Sequence, residues 1–417
     1  MTIGADVLVL GAGIVGVSTA VHLALRGKSV VLLDRRHPGE ETSFGNAGLI
    51  QKEGVHPHAF PLSIAKLLKY GLNGSTDMHY HPTALPGLVP FLAQYWWHSW
   101  PKRYEAIARA YAPLIAASVR EHSALITAAG AEALIEKQGW YLMFRSEQAR
   151  DDGFADADLL AREFGIGRET LDGSQMKALE PGLMLDLAGA VHWTDPWTIR
   201  DPHALVMAYF HLFERLGGSF RIGDGMNLTH AASGWRADTA EGPVEGRDTV
   251  IALGPWAGDL TRRLGYRLPL SVKRGYHMHY RQPAATPLTH WILDSEPGYL
   301  LAPMNTGIRL TTGAEFAGRD APNTPVQIDR AEAVARGLFP IGERIDPKPW
   351  MGARPITPDM LPIIGPAPRH AALWFAFGHA HHGMTLGPAT GRLIAEMLTK
   401  ETPFIDPAAF SAARFNP

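Results

Sequence analysis

The sequence predicts an α/β fold, a doubly wound and mostly parallel sheet joined to a second, mainly antiparallel β-sheet with helices. Three observations carry this. Residues 1–34 run as apolar strand, glycine turn, apolar-periodic helix and apolar strand, the unit from which parallel sheets are built. Alternating patterns across 272–280 and 299–312 read as antiparallel strands. A further apolar strand at 373–377 leads into a glycine-rich segment and a last helix, so the first sheet is assembled from distant pieces of chain.

Taken in order, 7–10 is a buried strand, 14–25 a helix stopped by Gly27, and 29–33 the second strand. Beyond Gly48 the pattern loosens through His56, Pro57, Pro61, Pro82, Pro86 and Pro90, and becomes helical again over 103–129. An aromatic strand follows at 139–144, with helices at 146–164 and 202–216. The continuous apolar run 248–253 is another buried strand, and it ends in Gly254, Pro255 and Trp256. The expected division is a discontinuous nucleotide domain of residues 1–80, 195–265 and 345–417, with a substrate domain of 81–194 and 266–344.

With 417 residues, 46% hydrophobic and 19% charged, the chain has ample material for a large core. A net charge of -2 leaves no field that would gather nucleic acid, which is therefore not an expected partner. The absence of cysteine removes disulfides, thiolate metal sites and cysteine nucleophiles, and fits a reducing cytoplasm. Residues 1–5 lack the basic stretch of a secretory signal, so a cytoplasmic location is expected. The apolar stretch 85–100 is broken by Pro86 and Pro90 and is too short to span a bilayer; peripheral contact with the inner face of a membrane stays open.

Gly11, Gly13 and Gly16 form GxGxxG where the first strand turns into the first helix. There the backbone can approach a pyrophosphate, and the helix N-terminus can face its charge, with Ile14 and Val15 opening the helix. Asp34 ends the second strand, where a carboxylate can take the ribose hydroxyls of an adenosine, and Arg35 follows it. Together these make a Rossmann-like dinucleotide site, which serves FAD and NAD equally.

The choice between them comes from motifs further on. The run Thr42-Ser43-Phe44-Gly45-Asn46-Ala47-Gly48 is followed in order by 252–256, by Lys273-Arg274-Gly275-Tyr276, and by Gly352-Ala353-Arg354-Pro355 with Thr357-Pro358-Asp359 and Pro362-Ile363-Ile364-Gly365. Gly378-His379 and Gly383-Met384-Thr385 complete the series. This arrangement resembles the D-amino acid oxidase superfamily of FAD-dependent oxidoreductases, closest to the bacterial D-amino acid dehydrogenase branch. The resemblance implies FAD, held through Thr42, Ser43, Asn46, Ala47, Gly48, Leu253, Gly254, Trp256, Gly378, His379, Gly383, Met384 and Thr385 besides the GxGxxG region. Relatives that attach flavin covalently do so through cysteine or through a histidine at the position of Gly45, so dissociable FAD is expected.

The implied chemistry is hydride transfer from the α-carbon of a small amino acid to flavin N5, giving an imino acid that water hydrolyses. A bidentate arginine best holds the substrate carboxylate, and Arg354 matches that role. Tyr276 and Tyr299 are expected to line the pocket and lend hydroxyls, with Arg274 as a weaker anchor on an exposed strand position. The segment 378–387 is expected to be a loop whose backbone donors face the flavin, with His379 hydrogen-bonded to flavin, to substrate or within the loop. No metal is expected from His379, His381 and His382, since no acidic or cysteine ligand lies nearby in sequence. The pairs His56/His58, His79/His81 and His277/His279 read as loop or surface residues.

The substrate reading covers a D-amino acid or a cyclic secondary amine such as D-proline or hydroxyproline, with glycine and N-methylglycine also open. The electron acceptor is a quinone, oxygen or an electron-transfer protein. Two rivals are a nicotinamide-dependent dehydrogenase and a flavin-carrying subunit of a hetero-oligomeric hydroxyproline- or sarcosine-type dehydrogenase, inert alone.

Overall fold

The computed structural model describes residues 3–416. Its first sheet has a parallel centre in the order Ser219–Ile222, Val30–Asp34, Ile3–Leu10, Gly242–Ile251 and Leu373–Phe377. Val7, Leu8, Val9 and Leu10 are all buried, which is why this strand reads as a continuous apolar run: both faces of the sheet are covered. Strand Gly242–Ile251 starts earlier than the apolar run at 248 suggested, because its first half pairs antiparallel with Gly234–Thr239.

Helices Ile14–Ala24 and Gly383–Leu398 pack closely on one face of this sheet. Gly391 makes that approach possible, since a Cβ there would meet the Ser18 carbonyl carbon at 2.6 Å. Helix Ser118–Ala129 packs on Gly383–Leu398 and on Pro202–Arg215.

The second sheet has ten strands and is mainly antiparallel. Its parallel joins are Met78–Tyr80 with Ala314–Phe316 and Trp140–Phe144 with Trp291–Asp294. Strands Met78–Tyr80 and Trp350–Ile356 fall within stretches expected to serve the nucleotide domain, yet both hydrogen-bond into this sheet. The stretch 103–129, assigned to the substrate domain, is instead split at Ala117 and packs on the last helix beside the nucleotide sheet. Such pairings join residues far apart in the chain, and local periodicity carries no information about partners.

Strand Ser271–Tyr280 is central to the second sheet. On one side it pairs antiparallel with Trp350–Ile356, with Lys273 opposite Arg354, Arg274 opposite Ala353 and Gly275 opposite Gly352. The apolar stretch near 85–100 forms helix Leu85–His98 with Pro90 inside it. Among the described residues no helix is long and apolar enough to cross a membrane.

Candidate functional site

A groove of about 130 Å³ runs along the C-terminal edge of the parallel strands. Gly11, Gly13, Ile14, Val15, Asp34, Arg35, Thr42, Ser43, Leu253, Gly254, Trp256, His379 and Gly383 line it. Gly11 has φ +103°, and a Cβ there would meet the Ala252 carbonyl oxygen at 2.4 Å, so only glycine leaves this floor open. Gly16 does not line the groove; a Cβ on it would lie 1.7 Å from the Gly11 oxygen, and its role is helix-to-strand packing. No side chain of Gly13 caps the first helix, and Ser43 Oγ accepts from the Ile14 amide at 3.0 Å. Asp34 accepts from the Ala12 amide at 2.6 Å and from the Arg36 amide at 3.2 Å; burial raises its pKa while these amides oppose the rise. Arg35 stacks on the Trp256 ring, 4.1 Å from its centroid.

Beyond the groove opens a cavity of about 760 Å³. Ile14, Thr42, Ser43, Ala380 and Gly383 border both spaces, so the N-termini of the first and last helices meet where the two join. Tyr276, Tyr299 and Arg354 line the cavity, and so do Asn46, Ala47 and Met384, which were expected to hold the cofactor and do not border the groove. Thr42 Oγ1 donates to the Ala353 oxygen at 3.0 Å, and Asn46 Oδ1 accepts from the Gly48 amide at 2.8 Å. Gly45 is required by Trp350, whose ring atoms would come within 1.8 Å of a Cβ. That indole stacks on His277 at 4.9 Å and occupies the space a histidine at position 45 would need.

Several expected roles are corrected. The Tyr276 hydroxyl accepts from Arg274 Nη2 at 2.8 Å and from the Thr324 amide at 3.0 Å, and donates to Glu315 at 2.8 Å; only its ring remains for the cavity. Arg274 is fully buried rather than exposed, and its Nε donates to Glu315 at 2.6 Å. His379 Nε2 shares a 2.9 Å hydrogen bond with Thr390, and burial lowers its pKa to about 3. It is a neutral ring that lines the groove, with its Nε2 committed to Thr390. Thr385 is spent on strand Leu49–Ile50 and its neighbour, donating to the Leu49 oxygen and accepting from the Gln51 amide, both at 3.2 Å. The expected loop 378–387 ends at His382, and Gly383, Met384 and Thr385 already belong to the last helix. Gly378 (φ +88°) and Gly48 (φ +76°) shape turns and line neither space.

His277 and His279 are buried, not surface residues. His79, His81 and Glu315 bring ligand-type atoms within 4.8 Å of one another. Glu315 already neutralises Arg274, and His81 Nε2 bonds Thr324 at 2.7 Å, so this group belongs to the Arg274 network.

Arg354 is the exception among these polar groups. Its Nη1 donates to the Gly313 oxygen at 2.9 Å and its Nη2 to the Thr312 oxygen at 3.4 Å, and it forms no ion pair among the described residues. Asp359, five residues further along, pairs with Arg414 at 2.7 Å. Burial alone pulls the Arg354 pKa down to about 10. The guanidinium lies across Gly275, where a Cβ would be 2.2 Å from Nη2.

Lys273, His58, Tyr95, His381 and Trp350 also line the cavity and were not singled out as site residues from sequence. The strand alternation that places Lys273 and Gly275 on one face was the available signal. Exposed His58 and half-buried His381 lie 4.4 Å apart between ring centroids, and desolvation with the nearby Lys273 and Arg354 charges lowers the pKa of both.

A glycine-floored groove at a parallel-sheet edge, opening into a cavity with a buried cation, defines a dinucleotide-dependent enzyme. Residues 6–397 match the family described as DAO, FAD dependent oxidoreductase. The chain belongs to this family and is an FAD-dependent oxidoreductase. It is 31% identical over 435 residues to a D-amino-acid oxidase of Bradyrhizobium diazoefficiens, covering 99% of each chain. It is 28% identical to a D-amino acid dehydrogenase of Chromohalobacter salexigens, covering 98% of this chain and 99% of that one. Among solved structures, glycine oxidase from Geobacillus kaustophilus shares the fold with a TM-score of 0.75, 23% identity and 99% coverage of both chains. L-proline dehydrogenase from P. horikoshii gives a TM-score of 0.77 at 16% identity, covering 100% of this chain and 99% of that one.

Proposed function

We propose that this enzyme oxidises a small amino acid at its α-carbon, taking a D-amino acid or a cyclic secondary amine such as D-proline or hydroxyproline and giving an imino acid. One observation carries the reading: Arg354 is a half-buried guanidinium facing the cavity with no carboxylate of its own among the described residues. A substrate carboxylate supplies the missing charge, and the planar fork fixes its orientation. The D-amino-acid relatives at 31% and 28% identity support the stereochemical side of the reading.

The groove fits FAD, because the glycine floor leaves room for a pyrophosphate and Asp34 stands at the ribose end. Bound FAD supplies the two-electron acceptor. The chain's residues do the positioning: Arg354 holds the carboxylate, and the Tyr299 ring closes one wall. The amine binds neutral, since the cavity's buried cations repel an ammonium; its proton leaves to solvent before binding. Leu293, Ile356 and Met384 line the cavity with apolar surface and exclude water.

Electrons then pass to a quinone, oxygen or an electron-transfer protein. Exposed Leu68 and Leu72 around helix Ile64–Gly71, with exposed Trp96, Trp97 and Trp100, support a peripheral membrane contact. Without Cys, and with Trp350 against Gly45, FAD is held non-covalently.

The test is an anaerobic absorbance scan of the purified holoenzyme with D- and L-amino acids, both prolines, 4-hydroxyproline isomers and sarcosine. The reading predicts bleaching of the oxidised flavin band by a subset of these. A yellow protein that none of them bleaches refutes stand-alone amino-acid oxidation and favours a partner-dependent flavin subunit.

A further inference from the structure

We infer that the cavity is built for a substrate with two carboxylates, an acidic amino acid whose α-carboxylate meets Arg354 and whose side-chain carboxylate meets Lys273. The inference rests on the amino-acid reading above and narrows its substrate class.

Lys273 and Arg354 are directly opposed on paired antiparallel strands and both line the cavity. Like charges placed this way repel each other, and the low-polarity surroundings strengthen the repulsion. Neither has an acid partner among the described residues: Lys273 Nζ donates to the Tyr95 hydroxyl at 2.7 Å, and no carboxylate acts on it. Among the described residues the only acid lining the cavity is Asp77, which accepts from Tyr70 at 2.7 Å and from Ser75. The other titratable groups facing the pair are exposed His58 and half-buried His381, whose pKa values desolvation and the nearby Lys273 and Arg354 charges lower. Arg354 therefore stays charged and Lys273 is charged below about pH 7, with no carboxylate bonded to either.

One monocarboxylate bound at Arg354 would leave the half-buried Lys273 without a counter-charge. Lys273 sits on the substrate side, because Tyr95 belongs to helix Leu85–His98, whose residues Leu92 and Tyr95 line the cavity from outside the nucleotide sheet. Opposed residues have Cβ atoms about 5 Å apart, so one short ligand with two carboxylates reaches both cations. Burial and the Arg354 charge lower the Lys273 pKa to about 7. An anionic side chain would favour the charged lysine, so the preference for acidic substrates should weaken as pH rises past about 7.

The experiment compares kcat/KM of the holoenzyme for aspartate against asparagine and for glutamate against glutamine, in the enantiomer that reduces the flavin. Expected is a preference for the acid of at least about tenfold, which Lys273→Met abolishes and Lys273→Arg retains. Binding without turnover is read in parallel by flavin difference spectra and thermal shift, with succinate expected to bind at least about tenfold tighter than butyrate. Amides used as well as acids, or a Lys273→Met variant that loses both equally, overturn the inference; the latter would mean that Lys273 shares the α-carboxylate. Should Lys273→Met not fold, the succinate and butyrate comparison on the unaltered enzyme decides. Tight succinate binding with no flavin reduction by any amino acid keeps the two-cation site and refutes the amino-acid reading instead.

Discussion

Arg274 and Arg354 lie on neighbouring strands of one sheet, one fully buried and the other half-buried, and they have opposite surroundings. Arg274 is closed on all sides, with Glu315, the Tyr276 hydroxyl and the oxygens of Ala321 and Pro322 on its guanidinium. Arg354 meets only two backbone oxygens and otherwise faces an open cavity. A buried cation whose charge is met within the chain is part of the framework. One whose charge is left unmet is where we propose that an anion binds.

Removing the acid from the closed network should produce the largest effect. Glu315→Gln leaves Arg274 buried without compensation, and a loss of about 3–5 kcal/mol is expected by thermal or denaturant unfolding. Arg354→Met should act on the other side of the comparison, with stability kept or raised. Its kcat/KM for the amino acid should fall by about three orders of magnitude, roughly 4 kcal/mol of transition-state binding, with FAD content unchanged. If Arg354→Met unfolds the protein while Glu315→Gln is harmless, the two roles are reversed.

A buried acid extends the comparison to the opposite charge. Glu53 is buried beside Gln51 and Trp140, which donate to it at 2.9 Å and 3.0 Å, and burial pushes its pKa up to about 7 from an ordinary 4.5. The unfolded chain gives up this proton first, so the group costs stability progressively as pH rises from about 4.5 to about 7, and the cost levels off above. Glu53→Gln should therefore stabilise the protein at pH 8 by about 3 kcal/mol and do little at pH 4. Equal shifts at both pH values would show that the carboxyl is not held this way. The smallest change is expected from Tyr276→Phe. Because its hydroxyl is committed to Arg274 and Glu315, the variant should lose about 1–2 kcal/mol of stability and keep its substrate KM.

Much of the site was legible because backbone constraints leave local marks. Gly11 and Gly48 are marked by the positive φ their turns require, Gly16 by the Gly11 oxygen five residues back, and the ordered motifs pointed to Arg354. What stayed hidden depends on distant partners. Nothing near Tyr276 in sequence reveals that Glu315 and Thr324 take its hydroxyl. Nothing near His379 reveals Thr390 as its partner across the first turns of the last helix. Lys273 stood inside a recognised motif, but its meaning came only from the register that sets it opposite Arg354. Met78–Tyr80 and Trp350–Ile356 were assigned to the wrong side of the molecule for the same reason.

The most direct measurement is anaerobic titration of the holoenzyme and of Arg354→Met with the best amino-acid substrate, following the oxidised flavin band. The account predicts full bleaching of the unaltered enzyme and, in the yellow and folded variant, reduction that is slower by about a thousandfold. Equal rates in the two proteins would contradict the assignment of Arg354 as the carboxylate anchor.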